Sequence, residues 1–230
     1  MTLFLVVPAA GVGSRMKADR PKQYLLLQGR PLMAHTLSRL HDAFPEAVLV
    51  LCLDHEDDRF DASMVPFARW QRVRGGETRA ESVRAGLASV AEQAAPDDLV
   101  LVHDVARPCV QVEDLHRLHA AAGEHADGAL LAAPVADTMK RADDCGGVLR
   151  TESRAHLFHA LTPQGFRYDL LCQALDAARA GGVEVTDEAS AIEALGRSPR
   201  LVPGRRDNIK VTHPEDLALA GALLALPGGD

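Results

Sequence analysis

The sequence has little cysteine, no long apolar run and no excess of positive charge, and each shortage excludes something. Its four cysteines, Cys52, Cys109, Cys145 and Cys172, are far apart with no Cys-x-x-Cys pair, so they are read as reduced thiols of a cytosolic protein. The start Met1-Thr2-Leu3-Phe4 lacks the charged stretch that opens a secretory signal, which again favours the cytoplasm. No apolar run approaches the ~20 residues needed to span a bilayer. There is no surplus of Pro, Gly or Ser, no repeat and no low-complexity tract, so disorder is not expected. The net charge of -7 disfavours nucleic acid and anionic membranes as partners, because tracking phosphates requires a basic surface. Any phosphate ligand must therefore meet a local cluster of cations.

What is present suits one α/β domain over residues 1–230: a chain of this length, 47% hydrophobic and 25% charged, can bury most of its apolar surface. Leu3 to Val7, Ala47 to Leu53, Leu99 to His103 and Ala129 to Ala133 are short, nearly continuous apolar runs, as in parallel strands covered on both faces. Between them, Leu32 to Phe44, Arg79 to Ala94 and Val112 to Glu124 read as amphipathic helices, with Val83, Gly86, Leu87 and Val90 on one face of the second. The alternation predicts βαβ units in a doubly wound, mostly parallel sheet. Thr78-x-x-Glu81 and Thr212-x-x-Glu215 have the spacing of capping boxes and predict two helix starts. Thr186 to Ser190 reads as a third helix start, and Asn208 to Thr212 as a short strand before the last helix. From Asp137 to Arg154 the pattern changes to two polar, strand-like segments around Asp143-Asp144-Cys145-Gly146-Gly147, which predicts a hairpin. Such a hairpin cannot bury enough surface to stand alone and must lie on another surface, a second subunit being a natural choice. The tail 227–230 is expected to fray.

The chemistry concentrates in a few stretches. After the first strand come Ala9-Ala10-Gly11-Val12-Gly13-Ser14-Arg15-Met16 and then Lys17, Arg20 and Lys22. Small residues there let backbone N–H groups approach phosphates, at the edge where open α/β sheets bind ligands. The segment reads either as a polyphosphate cradle or as a tight turn with a solvated charged loop. Two common nucleotide motifs are excluded: Met16 replaces the third glycine of a dinucleotide fingerprint, and no Gly-Lys-Ser/Thr closes the loop. Asp104 ends the third apolar run, where it can hold magnesium with water and phosphate oxygens, or can pair with Arg107 or cap the next turn. His103 reads as a packed strand residue. Gly75-Gly76-Glu77-Thr78 opens a helix whose N–H groups could meet a base edge or a phosphate, although capping alone accounts for Thr78 and Glu81.

Taken in order, Pro-Ala-Ala-Gly-x-Gly-x-Arg-Met at 8–16, Pro-Lys-Gln-Tyr at 21–24, Val-His-Asp-x-Ala-Arg-Pro at 102–108, Asp-Thr-Met-Lys-Arg at 137–141, Ala-Leu-Thr-Pro-Gln at 160–164, Thr-Asp-Glu-Ala-Ser at 186–190 and Asp-Asn-Ile-Lys-Val-Thr at 207–212 resemble the 2-C-methyl-D-erythritol 4-phosphate cytidylyltransferase family. The opening motif occurs in many nucleotidylyltransferases; the later ones narrow the resemblance. It implies a Rossmann-like homodimeric enzyme of the non-mevalonate isoprenoid route that transfers CMP from CTP to methylerythritol phosphate, releasing pyrophosphate, with Mg2+ as cofactor. It further implies that the hairpin of about 137–154 is a dimerisation arm carrying Arg154 into the partner's site. By position, Arg15, Lys22, Arg154 and Lys210 become the catalytic cations, and Asp104 the magnesium ligand. Ala10, Gly11, Gly13, Gly76, Glu77 and Ser82 would hold the nucleotide, while Arg107, Thr138, Thr162 and Thr186 would line the acceptor pocket. Glu77 stands where the family pattern carries Asp. The rival readings are a ribitol phosphate cytidylyltransferase of the same fold and, from another class, a non-catalytic nucleotide-binding protein.

Overall fold

The structure is a computed structural model in which residues 1–226, apart from Val12 and Lys17, are described. Lys17, counted above among the loop cations, and the tail 227–230 lie outside the described residues. In chain order the elements are β1 (Leu3–Pro8), the short pair β2 (Leu26–Leu27) and β3 (Arg30–Pro31), α1 (Leu32–Ala43), β4 (Val48–Leu53), β5 (Trp70–Arg74), α2 (Arg79–Ala88) and β6 (Leu99–Val102). They continue with α3 (Val112–Glu124), β7 (Ala129–Pro134), β8 (Met139–Ala142), β9 (Val148–Glu152), β10 (Phe158–Arg167), α4 (Tyr168–Ala180), α5 (Glu188–Ala194), β11 (Arg200–Pro203) and α6 (Pro214–Leu224).

Seven strands form one sheet in the order β11-β7-β10-β6-β1-β4-β5. Every neighbouring pair is parallel except the two that β10 makes, so a single reversed strand is inserted between β6 and β7. From β1 the chain winds outward through β4 to β5, then returns to place β6 on the other side of β1. That reversal opens a crevice at the carboxyl ends of β1 and β6, the place where open α/β sheets bind ligands.

Both faces of the sheet are covered, which is why its strands read as continuous apolar runs. Leu5 and Val7 of β1 face the layer of α1 and α3, with Leu37, Leu40, Leu115 and Leu118. Phe4 and Val6 face the opposite layer, with Val83 and Leu87 of α2, Leu171 and Leu175 of α4, and Ile192 of α5. A third, smaller cluster seats α6 through Ala220 against Leu27 and Leu32.

Several local expectations meet their cause here. Thr78 and Glu81 form the predicted capping box, each accepting from the other's backbone N–H at 3.1 and 3.0 Å. The box expected at Thr212 falls one residue later: His213 is the N-cap, and Asp216 accepts from both Thr212 N–H and His213 N–H at 2.8 Å. Asp216 is the better partner because Pro214 occupies the first helical position, where its missing N–H costs nothing. Residues 208–212 are not a strand. Asn208 and Lys210 turn to the cavities described below, Val211 is buried in the third cluster with Ile209 packed against it, and Val211 N–H makes a single bond to the Ala106 carbonyl. The predicted hairpin is present as β8 and β9, paired only with each other around a turn closed by Asp143 and Gly147, with nearly every residue exposed.

Gly128 turns the chain from α3 into β7 with a φ of +75°, and a Cβ there would fall on the Phe166 ring and 2.5 Å from the Gly165 carbonyl oxygen. Gly128→Ala should therefore lower unfolding stability by about 2–4 kcal/mol, combining backbone strain with overpacking. Urea unfolding followed by circular dichroism measures this, and a loss below about 0.5 kcal/mol would contradict the packing described.

Candidate active site at the carboxyl edge of the sheet

Three chain reversals converge on the crevice, and backbone bonds hold them level. Ala9 N–H donates to the Cys52 carbonyl at 2.8 Å, Gly75 N–H to Leu53 at 2.7 Å, and His103 N–H to Val6 at 3.0 Å. A cavity opens between them, bounded by Pro8 to Gly11, by Gly76 to Arg79 with Ser82, by Asp104 to Ala106, and by Lys22 and Lys210. Glycines make it possible at two contacts. A Cβ on Gly75 would lie 2.5 Å from the Ala10 Cβ, so only glycine lets the first loop close on the β5–α2 turn. Gly13, at φ +67°, would meet the Lys22 stem at 2.9 Å, so its bareness sets where that side chain runs. Gly11 differs: nothing lies within 4 Å of its Cβ position, and a side chain there would instead fill cavity space. Ser82 braces the turn, its hydroxyl accepting from Gly76 N–H at 3.1 Å and donating to the Thr78 carbonyl at 3.0 Å. Gln23 ties the following loop back, donating to the Ala9 carbonyl at 2.8 Å.

The floor is a charge cluster around Asp104. Its Oδ1 accepts from Arg79 Nε at 2.8 Å and its Oδ2 lies 2.7 Å from Lys210 Nζ, with Arg107 Nε at 3.8 Å. Burial would push this carboxyl up, but Arg79 and Lys210 outweigh it and hold Asp104 well below the usual carboxylate range. Arg79 in turn donates through both terminal nitrogens to Glu188, at 2.6 and 2.9 Å. Backbone and neighbours fix the same region: Asp104 N–H donates to Thr162 Oγ at 3.1 Å, that hydroxyl lies 3.0 Å from His103 Nδ1, and His103 Nε2 lies 3.2 Å from the Arg107 carbonyl. Having accepted from Asp104, the Thr162 hydroxyl gives its proton to His103 Nδ1, which leaves the Nε2–H to donate to Arg107. Burial keeps this imidazole neutral, lowering it to about 4.

A second cavity adjoins the first and shares Lys210 with it. Arg107, Ala136, Asp137, His159, Arg206 and Asn208 contribute to its walls.

The model of the 2-C-methyl-D-erythritol 4-phosphate cytidylyltransferase family matches residues 3–226. The chain belongs to this family. A relative from Chromohalobacter salexigens bearing that name is 66% identical over 223 residues, covering 97% of this chain and 90% of its own. One from Vibrio atlanticus, with the same name, is 50% identical over 220 residues, covering 95% and 94%. Among solved structures, the Francisella tularensis 2-C-methyl-D-erythritol 4-phosphate cytidylyltransferase superposes with a TM-score of 0.83 at 31% identity, covering 97% of this chain and all of that one. The Thermus thermophilus protein of the same name gives 0.80 at 34% identity, over 98% and 100%.

In this cytidylyltransferase fold, Ala10, Gly11, Lys22, Gly76, Glu77, Ser82, Asp104 and Lys210 line the first cavity, and Arg107 lies at the second. Arg15 is exposed in a short 3-10 turn, close enough to Lys22 to influence its charge. Thr162 is 4% exposed and lines neither cavity; it acts on the site through Asp104 and His103. Thr138, Arg154 and Thr186 are exposed and also lie off both walls, Arg154 donating to the Ala136 carbonyl at the base of the hairpin. Sequence reading missed Arg79 and Glu188. Each was read as part of a helix start, and nothing local could pair residues 109 positions apart.

The charge on Lys22 is sensitive to its surroundings. Burial first and then the Lys210 ammonium lower its amine to about 8, against the pull of Asp104, with Arg15 and Arg107 adding to the lowering. An unfolded chain keeps this amine protonated to about 10.5, so charging it in the fold costs stability below pH 8, a cost relieved as pH rises from 8 toward 10.5. A bound polyanion would remove the same cost. Side-chain NMR of Lys22 should give a midpoint near pH 8 in the free protein and a higher one with CTP present; a free-protein midpoint near 10.5 would mean the amine is solvated.

Proposed function

We propose that this chain transfers CMP from CTP to 2-C-methyl-D-erythritol 4-phosphate, releasing pyrophosphate. The observation that carries the reading is the junction of the two cavities at Lys210. One is bordered by bare backbone and lysine, as a triphosphate requires, and the other by Arg107, Arg206 and His159, as a phosphate ester requires. The acceptor's phosphate is already ionised near neutral pH, so no general base is needed. One of its oxygens bonds to the α-phosphorus of CTP, and the bond from that phosphorus to the bridging oxygen of the β-phosphate breaks. Negative charge then grows on the transferring group and on the leaving pyrophosphate, and fixed cations are what lower that barrier. Arg15, Lys22 and Lys210 take this part. Ala10, Gly11 and Gly13 surround the triphosphate, Gly76, Glu77 and Ser82 hold the cytidine, and Arg107 steadies the acceptor, while Thr162 acts through Asp104 and His103 and Thr138 and Thr186 stay outside both cavity walls.

Magnesium fits Asp104 as one protein ligand in a shell completed by water and phosphate oxygens. Both carboxylate oxygens already accept from cations, yet a carboxylate has about four lone-pair sites, so room remains for a metal. Among the described residues no cluster of three His, Cys, Asp or Glu side chains could hold the ion without substrate. When bound, magnesium would draw charge from the triphosphate.

The hairpin makes the functional unit a dimer. Val148 and Leu149 of β9 are 65% and 60% exposed, and Phe158, at the base, is 40% exposed, a surface suited to a second copy of the chain. Arg154 then acts in the partner's site. The setting is the cytoplasm; no helix among the described residues is long and apolar enough to cross a membrane.

Pyrophosphate release with CTP and either methylerythritol phosphate or ribitol 5-phosphate tests the substrate directly. Turnover should be at least about 10²-fold faster with methylerythritol phosphate, and the reverse preference would assign the acceptor pocket to ribitol phosphate. Lys22→Ala and Arg15→Ala should each lower kcat by about 10²-fold or more, since a lost donor to developing charge costs a few kcal/mol. Near-normal turnover in both would sink the proposed roles. Mixing inactive Lys22→Ala subunits with inactive Arg154→Ala subunits should restore about a quarter of wild-type activity, because about half the exchanged dimers contain one site with neither defect. A mixture that stays inactive after mass spectrometry confirms exchange would place Arg154 in its own chain's site.

A further inference from the structure

Lys210 stands on a segment without regular structure, and the chain of contacts that holds its ammonium is long and ordered. Glu188, at the start of α5, is 0% exposed. Both its oxygens accept from Arg79, at 2.6 and 2.9 Å, and the remaining side-chain nitrogen of Arg79 donates to Asp104 Oδ1 at 2.8 Å. The other Asp104 oxygen meets Lys210 at 2.7 Å. An acceptor-only arrangement at both Glu188 oxygens belongs to a carboxylate, and a guanidinium is the one side chain that can fork to one acid while donating sideways to another. The Glu188 end is itself anchored: Ala189 N–H donates to Gln164 Oε1 at 2.8 Å, and Gln164 Nε2 donates to Asp187 at 2.8 Å, fixing α5 to β10.

We propose that Arg79 and Glu188 are positioning residues for the transfer: Glu188 orients Arg79, Arg79 fixes the Asp104 rotamer, and Asp104 thereby holds the Lys210 ammonium at the boundary of the two cavities. The proposal rests on the cytidylyl transfer assigned above. Alternation of charge along the series gives the inner members, Arg79 and Asp104, an opposite partner on either side, and loss of Arg79 or of its Glu188 support leaves Lys210 with a mobile anchor. Lysine at position 79 would not substitute, because a point charge cannot serve both carboxylates in these directions.

Arg79→Ala and Glu188→Gln should each lower kcat by about tenfold or more while KM for CTP changes less than about threefold, since the Lys210 charge is retained and its placement is lost. Methylguanidinium should restore kcat of Arg79→Ala severalfold. It should not rescue Arg79→Ala/Glu188→Gln, and Arg79→Lys should stay as slow as Arg79→Ala. A measurement independent of turnover separates this inference from the assignment of the reaction: the 13Cε relaxation of Lys210, identified by loss of its signal in Lys210→Arg. Its order should be high in the wild type, fall in Glu188→Gln, and recover in Arg79→Ala on adding methylguanidinium. If Arg79→Ala does not fold, Glu188→Gln, which preserves shape, carries the same test. Unchanged Lys210 order in a folded Glu188→Gln protein would overturn the proposal even if the wild type proved active. So would a kcat loss matched by the unfolded fraction seen in circular dichroism.

Discussion

One carboxylate organises the site. Asp104 stands where β6 stops, almost without solvent, and receives Arg79 on one oxygen and Lys210 on the other. A buried acid without partners would take up a proton, and the half-buried cations without an acid would repel one another. Together they are stable, and their positions follow from elements that otherwise share little: the start of α2, the end of β6 and the segment before α6. The fold around it is a device for bringing these ends to one level, and the bonds from Ala9, Gly75 and His103 to neighbouring strands set that level.

Much of the scaffold was legible because its signals are local. Strands buried on both faces show as unbroken apolar runs, and β1, β4, β6 and β7 emerged within a residue or so of their ends. For the same reason the runs do not say which side chain faces which layer; Leu5 and Phe4 look alike in sequence and face opposite ways. The reversed β10 was not legible. It begins in the exposed residues Phe158, His159 and Ala160 and becomes buried only past Ala160, where its ladder with β7 also shifts register, so no single period describes it. The boundary of α6 moved by one residue because two acids, Glu215 and Asp216, stand side by side and only geometry decides which turns back to cap the helix.

The site divides in the same way. Ala10, Gly11, Lys22, Asp104 and Lys210 fall in ordered motifs, and the fold gathers them at one cavity. Arg79 and Glu188 were hidden because helix capping offered a sufficient account of their surroundings. The two readings of Asp104 also prove compatible: it is ion-paired, as a structural acid would be, and it faces a cavity, as a ligand-binding acid would. Thr162 shows the opposite lesson, since its neighbours Ala160 and Leu161 line the second cavity while its own hydroxyl is spent on the backbone of Asp104 and the ring of His103.

Lys210 belongs to the walls of both cavities, and that shared wall makes the two occupants thermodynamic partners. An anion entering either side draws on the same ammonium, so the first to arrive changes what the second encounters. Linkage requires the effect to be mutual: whatever factor an occupant of one cavity imposes on affinity in the other, the second occupant imposes on the first. One positive charge, divided between two neighbouring cavities, thus couples whatever enters one to whatever enters the other.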